Sequence, residues 1–148
     1  MKKPFFYILL LLIALSYKAT CQNANLVIQI NEKLIKGPLY CSITFDSING
    51  KRYNVLYVPG ELLLDSTIWN KIDKDSTKSF WFHFYGTENL KTTPYFVKLT
   101  RRHLKMSYLI LNVYDFSDKK YKKMYQWLTD KNYLVEPEFS GSGKYIKH

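Results

Sequence analysis

Three polar or aromatic side chains at alternating positions are the clearest candidates for binding chemistry in this sequence. Trp81, His83 and Tyr85 alternate with three phenylalanines, so in a β-strand the two sets project from opposite faces. An exposed row of this kind can stack against sugar rings or anchor a protein partner. If a second sheet or a helix covers the row, the same residues belong to the core. Both interpretations remain open from the sequence.

A run of lysines is the second candidate surface. It consists of Lys119, Lys120, Lys122 and Lys123. Each basic residue near an anionic membrane contributes about 1 kcal/mol to binding, so the run could contact acidic headgroups at a membrane surface. A solvated helix face has the same pattern. Nucleic acid is not expected as a partner, because no nucleic-acid-binding module accompanies the lysines.

Residues for catalysis or metal binding are sparse and scattered. The histidines are far apart, and the sequence contains no zinc-binding pair, phosphate-binding glycine loop or nucleophile motif. We therefore predict no catalytic residue, no metal ligand and no cofactor. An enzyme would require His83 or His103 to lie beside a carboxylate such as Glu88 or Asp115.

The first 21 residues have the pattern of a secretory signal peptide. Two lysines near the start precede an uncharged apolar run over residues 5–15. The run is too short to span a bilayer, which takes about 20 apolar residues, and no later stretch is long enough. Cleavage after Cys21 would release residues 22–148 to the periplasm, the cell surface or the medium. Lipid attachment to Cys21 is less favoured, because Lys18 and Thr20 depart from the pattern of bacterial lipoproteins.

Charge and cysteine content limit the class of the exported part. The chain has 22 basic and 12 acidic residues, and removal of the three lysines in the first 21 residues leaves a net charge of +7. A positive surface favours anionic partners. Cys41 is then the only thiol, so no internal disulfide can form and the fold must depend on its hydrophobic core. Cys41 lies on the apolar face of a predicted strand, where burial makes a thiol inert.

Alternating apolar residues predict six or seven strands in one domain covering residues 22–148. Asn49-Gly50 between two such runs predicts a hairpin with a two-residue turn. That turn would place Ile43 opposite Leu56 and Cys41 opposite Val58. Residues 86–93 are predicted to be a loop.

The period changes near the C-terminus. Apolar residues spaced as in an amphipathic helix are Tyr121, Met124, Tyr125 and Leu128, and Ser117 is the predicted N-cap. Residues 133–139 suit a last strand, which Pro137 confines to an edge. A loose tail is expected from about residue 140.

These elements predict a mainly β domain, specifically an antiparallel β-sandwich of immunoglobulin-like or transthyretin-like topology with one short C-terminal amphipathic helix. A small α+β fold is the alternative. We expect an exported, non-enzymatic binding or accessory domain of the bacterial cell envelope, with an envelope protein or a glycan as partner. The alternatives are a small secreted enzyme with a site around a histidine, and a structural subunit that folds with its partner.

Overall fold

A computed structural model describes residues 22–74, 79–88 and 91–140, except for the side chains of Glu88 and Lys91. The predicted signal peptide and the predicted tail after residue 140 lie outside these residues.

Nine strands and three short helices make up the described part of the chain. The strands are β1 (Gln22–Ile30), β2 (Lys33–Leu34), β3 (Leu39–Thr44), β4 (Arg52–Val58), β5 (Gly60–Leu64), β6 (Ser79–Glu88), β7 (Lys91–Thr100), β8 (Leu109–Asp115) and β9 (Tyr133–Phe139). The helices are α1 (Ser66–Lys74), α2 (Arg101–Leu104) and α3 (Lys119–Tyr125), and a 3-10 turn at Gln126–Leu128 continues α3.

All of these strands belong to one sheet, which is nearly closed. Its order is β7-β6-β3-β4-β5-β1-β8-β9, with β2 added to β1, and β1 with β8 is the parallel pair. The edge strands β7 and β9 approach each other where the rings of Tyr95 and Tyr133 pack with centroids 5.1 Å apart. The prediction of a mainly β fold is confirmed. The sandwich is not confirmed, because the strands curl into one barrel-like sheet.

The core fills the inside of this curved sheet. Alternate residues of most long strands point inward, and Phe80, Phe82 and Phe84 of β6 are buried together, as the sequence predicts. β8 has the same alternation, with buried positions from Leu109 to Asp115. Burial of one face along most of the long strands explains why the sheet closes around a single core.

The hairpin of β3 and β4 exists, but its predicted register is wrong. Cys41 lies opposite Val55 and Ile43 opposite Tyr53, three residues from the predicted pairing. The connection covers residues 45–51, and its left-handed residue is Asp46, with φ of 65°, rather than Asn49. Because the shift is odd, it exchanges the two faces of β4. Val55 is therefore buried, whereas the predicted inward residues of β4 are only half-buried.

Helix α3 is present, but its cap and its buried face differ from the prediction. The N-cap is Asp118, whose side chain accepts a hydrogen bond of 2.8 Å from the Lys120 N–H. Tyr121 and Tyr125 pack on the ring of Tyr114 at centroid distances of 5.6 and 4.5 Å. The α-helix ends at Tyr125, and the tighter 3-10 turn changes the direction of the following side chains. Leu128 of the predicted stripe lies in this turn and is exposed, and Met124 within α3 is exposed as well.

Candidate functional site

The three candidate residues on β6 do not form a continuous exposed row. Trp81 is half-buried and Tyr85 is 49% exposed, but His83 between them is only 3% exposed. The His83 Nε2 lies 3.0 Å from the Thr44 hydroxyl, and its ring packs edge to face on Phe96 at 4.6 Å. His83 is thus part of the packed structure, and Trp81 and Tyr85 are presented separately.

Burial of His83 gives the fold a dependence on pH. Burial, aided by the positive charge of Arg52, lowers the pKa of His83. In the unfolded chain the imidazole of His83 is protonated below about pH 6.5, whereas in the folded chain it stays neutral to a lower pH. The free energy of unfolding therefore falls as the pH decreases through about 6.5. His83→Gln should reduce this slope in urea unfolding measured at several pH values. The pKa of His103 is also lowered, by burial and by the positive charge of Arg102. His103→Gln therefore measures the part of the pH dependence of stability that His103 contributes. Unchanged slopes in both variants would contradict this assignment.

The exposed part of Trp81 faces a slot between the two edge strands. The slot has a volume of about 330 Å³. Its lining comes from β6, β7, the segment before β9, and β9 itself: Trp81, Phe96, Val97, Lys98, Thr129, Lys131, Tyr133, Leu134, Val135 and Pro137. We call this cavity the β7–β9 slot.

Backbone geometry explains why the edges do not join. The Phe96 N–H donates to the Tyr133 hydroxyl at 3.0 Å, so the backbone groups of Phe96 point away from β6. The direction of backbone hydrogen bonding alternates along a strand, so the backbone of Pro94, two residues earlier, also points away from β6. The Val113 carbonyl of β8 accepts from the Asn31 N–H, so the backbone groups of Val113 point toward β1 and not toward β9. The residue opposite Val113 in β9, and Pro137 two residues after it, therefore direct their backbone groups outward, away from β8. Proline has no N–H to donate. Each edge thus presents a proline where a closing ladder would need a donor.

Two lysines give the β7–β9 slot a positive charge. The Lys98 and Lys131 ammonium groups lie 5.9 and 5.8 Å from the centroid of the Trp81 ring. Lys131 also lies 5.4 Å from the Tyr133 centroid. None of the described residues that line the slot is acidic. An apolar aromatic surface flanked by two cations suits a ligand with a ring and a negative charge.

A second cavity, of about 310 Å³, lies at the end of the barrel that carries α3. Its lining includes Asp115, whose carboxylate accepts hydrogen bonds from the Tyr95 hydroxyl at 2.5 Å and the Ser117 N–H at 2.7 Å. Burial raises the pKa of Asp115, but hydrogen bonds from Tyr95, Ser117 and Thr93 outweigh burial and hold it below its usual value. Both carboxylate oxygens accept hydrogen bonds from the protein itself, so we assign Asp115 a structural role.

Of the histidines that the structure describes, neither His83 nor His103 lies beside Asp115. His103 Nδ1 lies 2.9 Å from the Thr100 hydroxyl, and its ring packs on Phe139. The side chain of Glu88 lies outside the described residues. Burial raises the pKa of Cys41 to about 12, as expected for an inert thiol. Within residues 22–74, 79–88 and 91–140, no group of three or more potential ligands could hold a metal ion.

The four lysines of the α3 segment are all exposed, but their surroundings differ. Lys120 forms an ion pair with Glu32 at 3.3 Å and contacts the Tyr121 ring. Lys122 lines the second cavity. Lys119 and Lys123, four residues apart, share one face of the helix. Across the described part of the chain, no helix combines the length and apolar character needed to cross a membrane.

Sequence interpretation identified Trp81 but missed the cations around it. Lys98 lies directly opposite Trp81 because β6 and β7 form a long hairpin that extends to Glu88 and Lys91. The predicted loop over residues 86–93 is therefore wrong. Pairing β6 with β7 as a hairpin in the sequence would have placed Lys98 opposite Trp81. No local sequence pattern indicates that Lys131 lies near Trp81.

Comparison of the chain with family models, curated proteins and solved structures gives no match.

Proposed function

We propose that this chain is an exported, non-enzymatic binding domain of the cell envelope, and that its β7–β9 slot binds an acidic glycan. The observation that supports this proposal is the half-buried indole of Trp81 with two ammonium groups within 6 Å of its centroid. The apolar segment near the start of the chain is the reason for proposing export.

The shape and chemistry of the slot favour this ligand class. Its volume of about 330 Å³ is at the lower end of small-ligand sites, which are about 300–1,000 Å³. The C–H face of a sugar ring can pack on the exposed part of the indole, as apolar groups do on aromatic rings. A carboxylate on the same sugar can accept charge-assisted hydrogen bonds from Lys98 and Lys131. Neutral sugars would use only the first of these interactions.

Binding of galacturonic acid oligomers should depend on both features of the slot. Trp81→Leu keeps apolar volume but removes the aromatic face, so the affinity should fall about tenfold. The double variant Lys98→Gln/Lys131→Gln removes two charged donors and should lower it by a similar factor or more. Isothermal titration with the exported protein measures both, and galactose oligomers of equal length should bind far more weakly.

A matched control removes the same charge at sites away from the slot. Lys36→Gln/Lys119→Gln alters two exposed lysines and should bind the acidic oligomer as the unaltered protein does. If that control loses as much affinity as the slot variant, binding depends on the net charge of the protein and not on the two lysines of the slot, which would contradict the proposal. Equal binding of acidic and neutral oligomers, or no binding to either by folded protein, would contradict the proposal.

A further inference from the structure

The end of α3 and the 3-10 turn that follows it present apolar side chains to solvent. Trp127 is 79% exposed, Met124 48% and Leu128 46%. The Trp127 indole N–H donates to the Met124 carbonyl at 2.9 Å. The one polar atom of this side chain is thus satisfied within the turn, while its apolar ring surface faces outward. Exposed apolar groups of this size, held together in one place, mark an interaction surface.

The same segment carries a positive charge. Residues 119–128 contain four lysines and no acidic residue. Lys119, Lys122 and Lys123 form no ion pair with any residue that the structure describes. Lys123 lies four residues before Trp127 in the sequence, so the same short segment carries both cations and the exposed indole. We call Met124, Trp127 and Leu128, with Lys119 and Lys123, the α3 surface.

The end of the barrel that carries the α3 surface is also the more apolar end. Strand β2 with Leu34 lies beside α3, since Glu32 pairs with Lys120. The antiparallel pairing of β3 with β6 places Tyr40 toward the same end as Tyr85. Of the seven large hydrophobic side chains exposed in the described residues, only Tyr108, which directly precedes β8, belongs to the opposite end. Most of the exposed apolar side chains of the described residues therefore lie toward the end of the sheet that carries α3.

We propose that the α3 surface docks on an anionic lipid membrane. Trp127, Met124 and Leu128 would enter the headgroup region, where tryptophan is favoured at the boundary between water and acyl chains. Lys119 and Lys123 would contact acidic headgroups. Charge complementarity selects this occupant, because the apolar residues are bordered by lysines. Docking would not involve the β7–β9 slot, so it is independent of the glycan proposal.

Vesicle binding by the exported protein tests this docking. Vesicles of phosphatidylcholine mixed with phosphatidylglycerol should bind it about tenfold more tightly than phosphatidylcholine alone, and added salt should reduce this difference. Met124→Ser/Trp127→Ser/Leu128→Ser changes only exposed side chains and should lower binding to the mixed vesicles about tenfold. Lys119→Gln/Lys123→Gln should remove most of the preference for the anionic lipid.

Two controls separate this surface from the rest of the molecule. Tyr108→Ser removes an exposed aromatic at the opposite end, and Lys98→Gln/Lys131→Gln removes two lysines at the slot. Both should bind mixed vesicles nearly as well as the unaltered protein. Binding that is absent, equal on both vesicles, or unchanged in the α3-surface variants would overturn the proposal. Dimerisation abolished by the triple serine variant, without vesicle binding, would identify a protein interface instead and also overturn it.

Discussion

Asp115→Ala should lower the free energy of unfolding by about 3 kcal/mol, because it leaves the buried Tyr95 hydroxyl and the partly buried Ser117 N–H without this acceptor. The carboxylate is 3% exposed and accepts from the Tyr95 hydroxyl and the Ser117 N–H. An unsatisfied buried donor costs about 1–3 kcal/mol, so the loss of this acceptor exceeds the value of one ordinary hydrogen bond. Urea unfolding at neutral pH, followed by circular dichroism, measures the change.

Tyr95→Phe is the matched variant for this network. It removes one donor and leaves the carboxylate bonded to Ser117, so its effect should be smaller than that of Asp115→Ala. In the double variant the two losses should be less than additive, because both remove the same Tyr95–Asp115 hydrogen bond. Additive losses would show that the two side chains do not act together.

The pH dependence of the Asp115→Ala effect has a definite sign. Although burial alone would raise it, the pKa of Asp115 is lowered by the hydrogen bonds from Tyr95, Ser117 and Thr93. A lowered pKa means that the ionised carboxylate stabilises the fold above the unfolded value of about 3.9, and that this contribution is lost as the pH falls through the folded pKa. The difference between the two proteins should therefore shrink in acid. A constant difference from neutral to acid pH would contradict the assignment.

The Asp115 network also connects the core to the β7–β9 slot. Tyr95, which donates to Asp115, packs its ring against Tyr133 at 5.1 Å. Tyr133 in turn accepts the Phe96 N–H on the slot-facing edge of β7. Asn31 extends the network to β1, because its side-chain oxygen accepts the Asp115 N–H at 2.8 Å. The spacing of the two edge strands thus depends on a buried polar network that begins outside the slot.

The local periodicity predicted the elements better than their pairing. The buried face of β6, the helix after β8 and the edge position of Pro137 all followed from spacing and residue type. The register of β3 with β4 did not, because both faces of β4 are apolar. Val55 and Tyr57 point inward, but Leu56 and Val58 fit the same pattern equally well. The turn at Asp46 decides between the two, and the Asn49-Gly50 signal pointed to the other register.

The candidate site was predictable only in part for the same reason. Trp81 is identified by its type and its alternation, but its environment comes from residues that are distant in the sequence. Lys98 depends on the β6–β7 register, and Lys131 depends on how the sheet curls to bring β9 near β7. The burial of His83 likewise depends on Phe96. Closure of a sheet depends on contacts between residues that are distant in the sequence. Alternation of apolar and polar residues indicates which face of a strand is buried, but it does not predict which strands come together.

Gly86→Ala tests that closure directly and should destabilise the protein by about 2 kcal/mol through overpacking. A Cβ at Gly86 of β6 would lie 2.3 Å from the Ile30 Cδ1 and 2.7 Å from the Tyr95 Cε2. Strands β1 and β6 are not neighbours in the sheet, so Ile30 reaches Gly86 across the interior of the barrel. Thermal or urea unfolding of the variant measures the effect.

Ile30→Val provides the matched compensating change, because it removes the same Cδ1 atom. Alone it should cost about 1 kcal/mol, as expected for loss of one buried methyl group. Combined with Gly86→Ala it should recover part of the stability, so the double variant should be more stable than the sum of the two losses predicts. Recovery should be partial, because the fully buried Tyr95 ring remains at 2.7 Å and is held by Asp115. Strict additivity would mean that Ile30 and Gly86 do not meet, and the sheet would then be more open than a nearly closed barrel.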